Sequence, residues 1–376
     1  MSELLSTGQG AREQRVPQER GSKSRTPRAP SRRKSSISPR TEVKFVNLAL
    51  QGGGAHGAFA WGVLDRLLEE GTVGFEGISA TSAGAMNATV LAHGLQNGGP
   101  DGAREALADF WRRIAQFASL GPLQPSLIDR LLHNHELTYT PAFVALDLMS
   151  RLFSPYQLNP TNYNPLRGIL EESVDFERLR DCRAVRLFLS ATNVRTGKVR
   201  IFRNQDITPD AVMASACLPF MFQAVEIDGE AYWDGGYMGN PALYPLIYHC
   251  ESRDVVIVHI NPLCRPKVPT SAHEIMSRIN EISFNSSLMR EMRAIHFVTK
   301  LIDEGKLVEN GMKKMLIHSI AADDVMQGLN ATSKLNADWE FLTHLRDLGR
   351  ERTDEWLVNA FEHLNRDTTV DFETYL

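Results

Sequence analysis

Apolar residues along the chain switch between two spacings, and the switches mark out alternating strands and helices. Residues 43–50 (VKFVNLAL) are a mostly apolar run of strand length. A glycine-rich turn follows. Then, over residues 59–70, Trp61, Leu64, Leu67 and Leu68 recur at helical spacing, with Gly71 just past the helix end. The pattern predicts a second short strand over 75–80, a helix of small side chains over 82–93 and an amphipathic helix over 104–117. A loop-rich stretch runs from 119 to 165. Further strands are predicted at 185–191 and 201–202, a hairpin from 225–227 and 232–233 around Asp228-Gly229, and a β-branched buried strand over 255–260. From Ala272 onward the pattern turns helical. Ile275, Ile279, Ile282, Met289, Met292, Ile295, Val298 and Ile302 follow one face of a long helix, and two or more helices fill 339–364. There is no internal repeat. This order predicts an α/β fold: a largely parallel central sheet flanked by helices, with a helical C-terminal extension. The expected organisation is a basic tail over 1–42, an α/β domain over 43–268, and the extension over 269–376 packed on that domain.

Composition narrows the classes. The 376 residues are 43% hydrophobic and 23% charged, which excludes a collagen-like, coiled-coil or wholly disordered chain. The net charge of −4 hides an asymmetry: residues 1–40 hold ten Lys and Arg against three Glu, and the remainder carries −11. An acidic body argues against nucleic acid as its partner. The tail is rich in Ser, Arg, Pro and Gln, with almost no aliphatic side chain after Leu5. It has too little apolar surface to offset its chain entropy and is expected to be disordered. It reads either as a solubilising extension or as an electrostatic anchor for an anionic surface, worth up to roughly 1 kcal/mol per basic residue near a membrane. No run of 18 apolar residues predicts a transmembrane helix, and the basic N-terminal stretch lacks the apolar core of a secretory signal. Cys182, Cys217, Cys250 and Cys264 form no CxxC and no metal spacing. They read as reduced, mostly buried thiols of a cytoplasmic protein, peripheral to the membrane if the tail binds there.

Three places could carry chemistry. Gly52-Gly53-Gly54-Ala55-His56-Gly57 lies between a predicted strand and a predicted helix, where backbone N–H groups and a helix N-terminus make an anion site. Its Gly52-x-Gly54-x-x-Gly57 spacing matches a dinucleotide fingerprint. That reading wants an acidic residue at the end of the second strand, whereas Glu76 stands at its start. No Walker Lys-Ser/Thr follows either. The alternative is an oxyanion hole. The second place, Ala80-Thr81-Ser82-Ala83-Gly84, is a strand–nucleophile–helix elbow with Ala in the first glycine position. Small flanks suit a tight turn that presents Ser82 at a helix N-terminus. The third, Asp234-Gly235-Gly236, is an aspartate in a tight glycine turn, either a plain β-turn or the base that a nucleophilic serine needs.

Together these segments resemble the patatin-like phospholipases, whose pattern is a G-G-G-x-R/K-G loop, a G-x-S-x-G elbow and a D-G-A/G aspartate in that order. Ala191-Thr192-Asn193 with Thr196-Gly197, and residues 214–220 (ASACLPF), look like the connecting blocks of that family. The resemblance covers roughly 43–250. It implies a three-layer α/β/α fold and a serine lipid acyl hydrolase. Ser82 and Asp234 would form a catalytic dyad without histidine. The loop of Gly52, Gly53, Gly54, Ala55 and Gly57 would serve as oxyanion hole, its amides near Gly53, Gly54 and Ala55 holding the charge. Ala80, Thr81, Ala83 and Gly84 would build the elbow, and Gly235 and Gly236 the acidic turn. The implied substrate is a lipid acyl ester, with no metal and no cofactor. Two departures stand out: Ala80 in place of glycine, and His56 where Arg or Lys is usual, which makes any loop cation pH-dependent or absent.

Two other readings stay open: a Ser-His-Asp α/β-hydrolase, with His259 at the end of a strand as its best histidine, and a non-catalytic binding protein on the same fold. Apolar residues in 119–165, among them Leu120, Leu123, Leu127, Tyr139, Phe143 and Met149, suit a lid or acyl channel, or ordinary helices packed on the core. For the tail, deletion of residues 1–40 should leave turnover of soluble esters unchanged and weaken binding to anionic vesicles. The difference should fade as salt rises through roughly 0.15 M, where the Debye length is about 8 Å. Equal vesicle binding by both forms at low salt would exclude the anchor.

Overall fold

The computed structural model describes residues 42–121, 137, 140–307 and 312–376. The basic tail and the lid candidates Leu123, Leu127 and Tyr139 lie outside the described residues. Strand β1 (Lys44–Leu50) is buried over its last five residues, as a strand covered on both faces must be. β2 (Val73–Ala80), β3 (Arg186–Asn193), β4 (Val199–Arg203), β5 (Val225–Ile227), β6 (Glu230–Asp234), β7 (Asp254–Val258) and β8 (Leu316–Ile320) complete one mixed eight-stranded sheet. Its order is β5-β6-β3-β2-β1-β7-β8, with β4 on the free edge of β3. The centre, β3 through β8, is parallel, and β4, β5 and β6 run antiparallel to their neighbours. The hairpin between β5 and β6 turns where predicted, with Asp228 and Gly229 at φ 52° and 79°, the left-handed pair that a two-residue hairpin loop requires.

The helices α1 (Gly57–Glu70), α2 (Ala83–Ser119), α3 (Pro141–Leu152), α4 (Pro209–Ser215), α5 (Ala272–Asp303) and α6 (Trp339–Asn359) flank the sheet with shorter turns between them. α2 breaks at Gly98 and Gly99, with Pro100 after them, so its two limbs are the two helices predicted at 82–93 and 104–117. α3 lies in the stretch read as loop-rich, and none of its residues is buried. No described helix is long and apolar enough to cross a membrane.

Two readings need correction. The segment beyond residue 269 is not wholly helical. It supplies β8, which pairs with β7 along its length, so the expected boundary at 268 does not divide the fold. The five residues of β8 include His318, a polar break in a short apolar run. In the fold that imidazole is buried between Asp254 Oδ1 and Thr369 Oγ1, each at 2.9 Å. Nor does α5 bury the apolar stripe along its whole length. Leu288, Met292 and Ile295 are buried, but Ile275, Ile279 and Ile282 are exposed. The inner face of its middle carries the polar Glu281, Asn285 and Ser287, which serve loops beneath it.

α1 and α6 cross at two glycines. A Cβ on Gly62 would collide with the carbonyl of Arg346, and one on Gly349 with the carbonyl of Phe59. Gly62→Ala should therefore lower the unfolding midpoint, by roughly 1–3 kcal/mol of overpacking. Gly168→Ala, in a helix with open space around it, should be neutral or stabilising by up to about 1 kcal/mol. Thermal denaturation of the two variants checks the pair.

Candidate active site

The site is built by register. Leu50 of β1 pairs with Ala80 of β2, and both strands then continue two residues into a loop. Those second residues, Gly52 and Ser82, consequently lie side by side: a Cβ on Gly52 would stand 2.6 Å from Ser82 Cβ. Val258 pairs with Leu50 from the other side, and two residues on, Ile260 packs where a Cβ of Gly53 would be, at 2.5 Å. On the far side of β2, Ala80 pairs with Leu189 of β3. β4 occupies the opposite edge of β3 across Phe188–Thr192, so β2 and β6 share one edge. Where β2 ends, β6 takes over, and Ala191, two residues past Leu189, pairs with Asp234. Asp234 thus arrives at the level of Ser82. The parallel strands also bring the N-termini of α1 and α2 to this edge, where their partial positive charge accumulates.

Ser82 has φ 55° and ψ −124°, a strained conformation for a residue with a side chain. The surroundings hold it there. Its N–H donates to Ser215 Oγ at 3.0 Å, and the neighbouring Thr81 Oγ1 donates to Gly239 O at 2.6 Å. Gly84 is required because a Cβ would approach Leu50 O to 2.5 Å. Ala80, where the family pattern has glycine, is fully buried, its methyl part of the core. The departure is accommodated.

In the glycine loop, Gly52 N–H donates to Asn240 Oδ1 at 2.7 Å. Gly52 is therefore a spacer beside Ser82, not a spare donor. Among the described residues, no protein acceptor takes the N–H of Gly53, Gly54 or Ala55, and Gly57 opens α1 against Ala83 at the head of α2. His56 points away from Ser82's strand edge into the C-terminal segment. It is buried, with Nε2 2.8 Å from Ser333 Oγ and an edge contact to Phe341. Burial, with Lys334 and Arg265 nearby, holds it well below the usual imidazole range, so it is neutral.

Asp234 is buried, and burial pushes its carboxyl up to about 7. Gly236 N–H at 2.8 Å, the Ser82 hydroxyl and the Lys334 ammonium pull the other way. The carboxylate in turn adds to the burial that raises Cys217 and Tyr237, each to about 12. Gly235 and Gly236 are both dictated by packing, against the Ser190 carbonyl and the Phe284 ring. A carboxyl in this state, beside a strained serine and open amides, can accept a proton from that serine while the amides hold an oxyanion.

Sequence reasoning missed the supporting residues. Gln51 Oε1 accepts from Ile260 N and Asn261 N, Asn261 Nδ2 donates to Gly52 O at 2.8 Å, and Lys334 Nζ donates to Asn261 Oδ1 at 2.7 Å. None sits in a motif, and the links span up to 210 positions. Glu76, the acidic residue that stands away from the strand end where a dinucleotide reading wants one, lies within β2 and accepts from the amides of Glu251 and Ser252. His259 is buried with Nε2 on Tyr375 Oη at 2.8 Å, and burial lowers it to about 4. Cys182, Cys217 and Cys250 are buried, and Cys264 is exposed. Among the described residues, no group of His, Cys, Asp and Glu could hold a metal ion.

The family model described as patatin-like phospholipase matches residues 48–247, more than half of the chain. No curated protein matches it. Among solved structures, VipD from Legionella pneumophila is similar over 81% of this chain and 67% of its own, at 16% identity and a TM-score of 0.33. ExoU, in its heterodimeric complex with SpcU from the type III secretion system of Pseudomonas aeruginosa, is similar over 84% of this chain at 15% identity and a TM-score of 0.34. The chain spans about half of the ExoU structure, 52%.

A carboxyl raised in the fold from 3.8 to about 7 binds its proton in the native state while the unfolded chain has lost it. Its stabilising contribution is present below pH 4 and is lost as pH rises to 7. Asp234→Asn should accordingly gain stability relative to the native chain between pH 4 and 7 and hold that gain above. Denaturant melts of both forms across this range check the sign; a constant difference would contradict the raised value.

Proposed function

The chain belongs to the patatin-like phospholipase family, and from that premise we propose that it cleaves carboxylic esters of lipids through a Ser82–Asp234 dyad. Membership of the family makes it a lipid hydrolase in general terms. The finer reading is carried by one observation: the exchange of β2 for β6 along β3, which sets the Asp234 carboxyl against the strained Ser82 hydroxyl.

In the proposed reaction, Ser82 Oγ attacks the ester carbonyl and its proton passes to Asp234. The N–H groups of Gly53, Gly54 and Ala55 take the charge that develops on the carbonyl oxygen, helped by the helix N-termini. The tetrahedral adduct collapses to an acyl-enzyme, and Asp234 returns the proton to the departing alcohol. Water, deprotonated by Asp234, then releases the acid and restores Ser82. An ordinary aspartate would be a weak base for this role, but one raised toward 7 by burial is matched to neutral pH. His259 is a poor rival, since its Nε2 is engaged by Tyr375 and burial lowers it to about 4, which makes it a weak base.

Ser82→Ala should abolish both hydrolysis of short p-nitrophenyl esters and labelling by a fluorophosphonate probe, with an unchanged unfolding midpoint. Absence of labelling in the native folded chain would favour a binding protein. Asp234→Asn should lower turnover by roughly 10⁴-fold, as loss of an orienting or accepting group does in triads; a variant keeping a tenth of the rate would point to a histidine base. For the native chain, kcat/KM on soluble esters should rise with pH through about 7, as Asp234 ionises. Acyl release over a panel of phospholipids, lysophospholipids and acylglycerols would define the lipid class.

A further inference from the structure

We propose that Lys334, from the segment beyond the family-matched region, is the charged positioning residue of the glycine loop, in the role that a neutral His56 leaves unfilled. This rests on the dyad reading above.

Lys334 lies in the short helical turn Ala331–Leu335, whose first amides are capped by Asn330 Oδ1. That turn is pressed onto the glycine loop. The carbonyl of Lys334 occupies the space a Gly54 Cβ would need, and Gly54 itself has φ 58°. The next residue back, Ser333, holds His56. The loop's own side chain is therefore turned toward the C-terminal segment, and that segment sends a cation the other way.

The path from the ammonium to the site is short. Lys334 Nζ has only protons to offer, so it fixes which end of the Asn261 amide faces it, namely Oδ1, at 2.7 Å. The Asn261 NH₂ is thereby aimed at Gly52 O, at 2.8 Å. Gly52 C=O and Gly53 N–H belong to one trans peptide unit and point in opposite directions. Anchoring the carbonyl on Asn261 turns the Gly53 N–H to the opposite side, as an oxyanion donor must be, and a positive charge behind the amide polarises it further. The backbone N–H of Asn261 is itself held by Gln51 Oε1 at 3.0 Å, so the relay is rigid.

Burial lowers the Lys334 ammonium and Glu281 and Asp234 oppose that, and among the described residues the charged and titratable groups around it come from four segments. Glu281 of α5 is bonded by Arg265 and Arg278, Arg265 lies on the loop after β7, Asp234 ends β6, and His56 sits in the glycine loop. Around Asp234 stand Ser82, Cys217, Tyr237 and Lys334. Lys334 lowers the Asp234 carboxyl against the larger effect of burial. Removing the charge should therefore move the ionisation of Asp234 to higher pH.

The test is the pH dependence of kcat/KM on a soluble p-nitrophenyl ester, for the native chain and for Lys334→Met, Lys334→Gln, Lys334→Arg and Ser82→Ala. Lys334→Met should shift the acid limb to higher pH and, even above that limb, lower kcat by about tenfold or more with KM little changed, a fraction of the loss seen when an oxyanion donor is deleted. Lys334→Gln keeps a donor for Asn261 without the charge: its limb should move as far, while its kcat above the limb stays closer to native. Lys334→Arg keeps the charge, and its limb should stay near the native position. Limbs of the Met and Gln variants that coincide with the native one would overturn the proposal, as would an Arg variant displaced as far as Met. If Lys334→Met does not fold, the limb of Lys334→Gln decides alone. An active Ser82→Ala would refute the dyad itself; an inactive one with unmoved Lys334 limbs would refute only the role of Lys334.

Discussion

Leu50 and Ala80 are paired residues of adjacent parallel strands, and the site depends on that pairing. Parallel strands end at one edge, so the loops beyond them, and the helix N-termini that follow, converge. A shift of one residue in this register would turn Ser82 away from the glycine loop. The contacts leave no slack: Gly52 touches Ser82, Gly53 touches Ile260, and Gly84 touches the end of β1. Each of these glycines is needed because a Cβ would collide there, with the Ser82 and Ile260 side chains at Gly52 and Gly53 and with the Leu50 carbonyl at Gly84.

The same edge sets the electrostatics. Burial alone would leave Asp234 protonated and idle, and exposure alone would leave it a weak base. The observed balance places burial first, opposed by one amide, the serine hydroxyl and the Lys334 ammonium. The result is a carboxyl poised near neutrality at the positive ends of two helices. The fold gives up stability above pH 4 to keep it there, a form of strain also visible in the backbone of Ser82.

Much of what holds this edge lies outside the matched region of 48–247. β7 supplies Ile260 and Asn261 beyond its end, α5 places Asn285 and Ser287 on the loops around Gln51 and Asn240, and the turn bearing Lys334 closes over Gly54. This explains the odd patterning of α5. Its inner face spends polar side chains on backbone groups that would otherwise be buried without partners, and apolar residues such as Ile279 are left on the outside.

The parts whose demands are local are legible in the chain alone. A strained turn needs small neighbours, a close backbone approach needs glycine, and a strand covered on both faces needs an unbroken apolar run. Ser82, the loop of Gly52–Gly57, the Asp234-Gly235-Gly236 turn and the central strands were therefore legible as spacing and residue type. Tertiary structure decided the rest. Nothing near Gly52 in the chain says that its N–H is consumed by Asn240, and nothing around Asn261 or Lys334 marks them among the other Asn and Lys residues. β8 was hidden because its buried His318 is satisfied only by Asp254 and Thr369, 64 and 51 positions away. Hydrogen bonds between ordinary polar residues far apart in the chain impose no periodicity, and one buried lysine leaves no composition signal. Only the packing of the C-terminal segment onto the strand edge makes them part of the site.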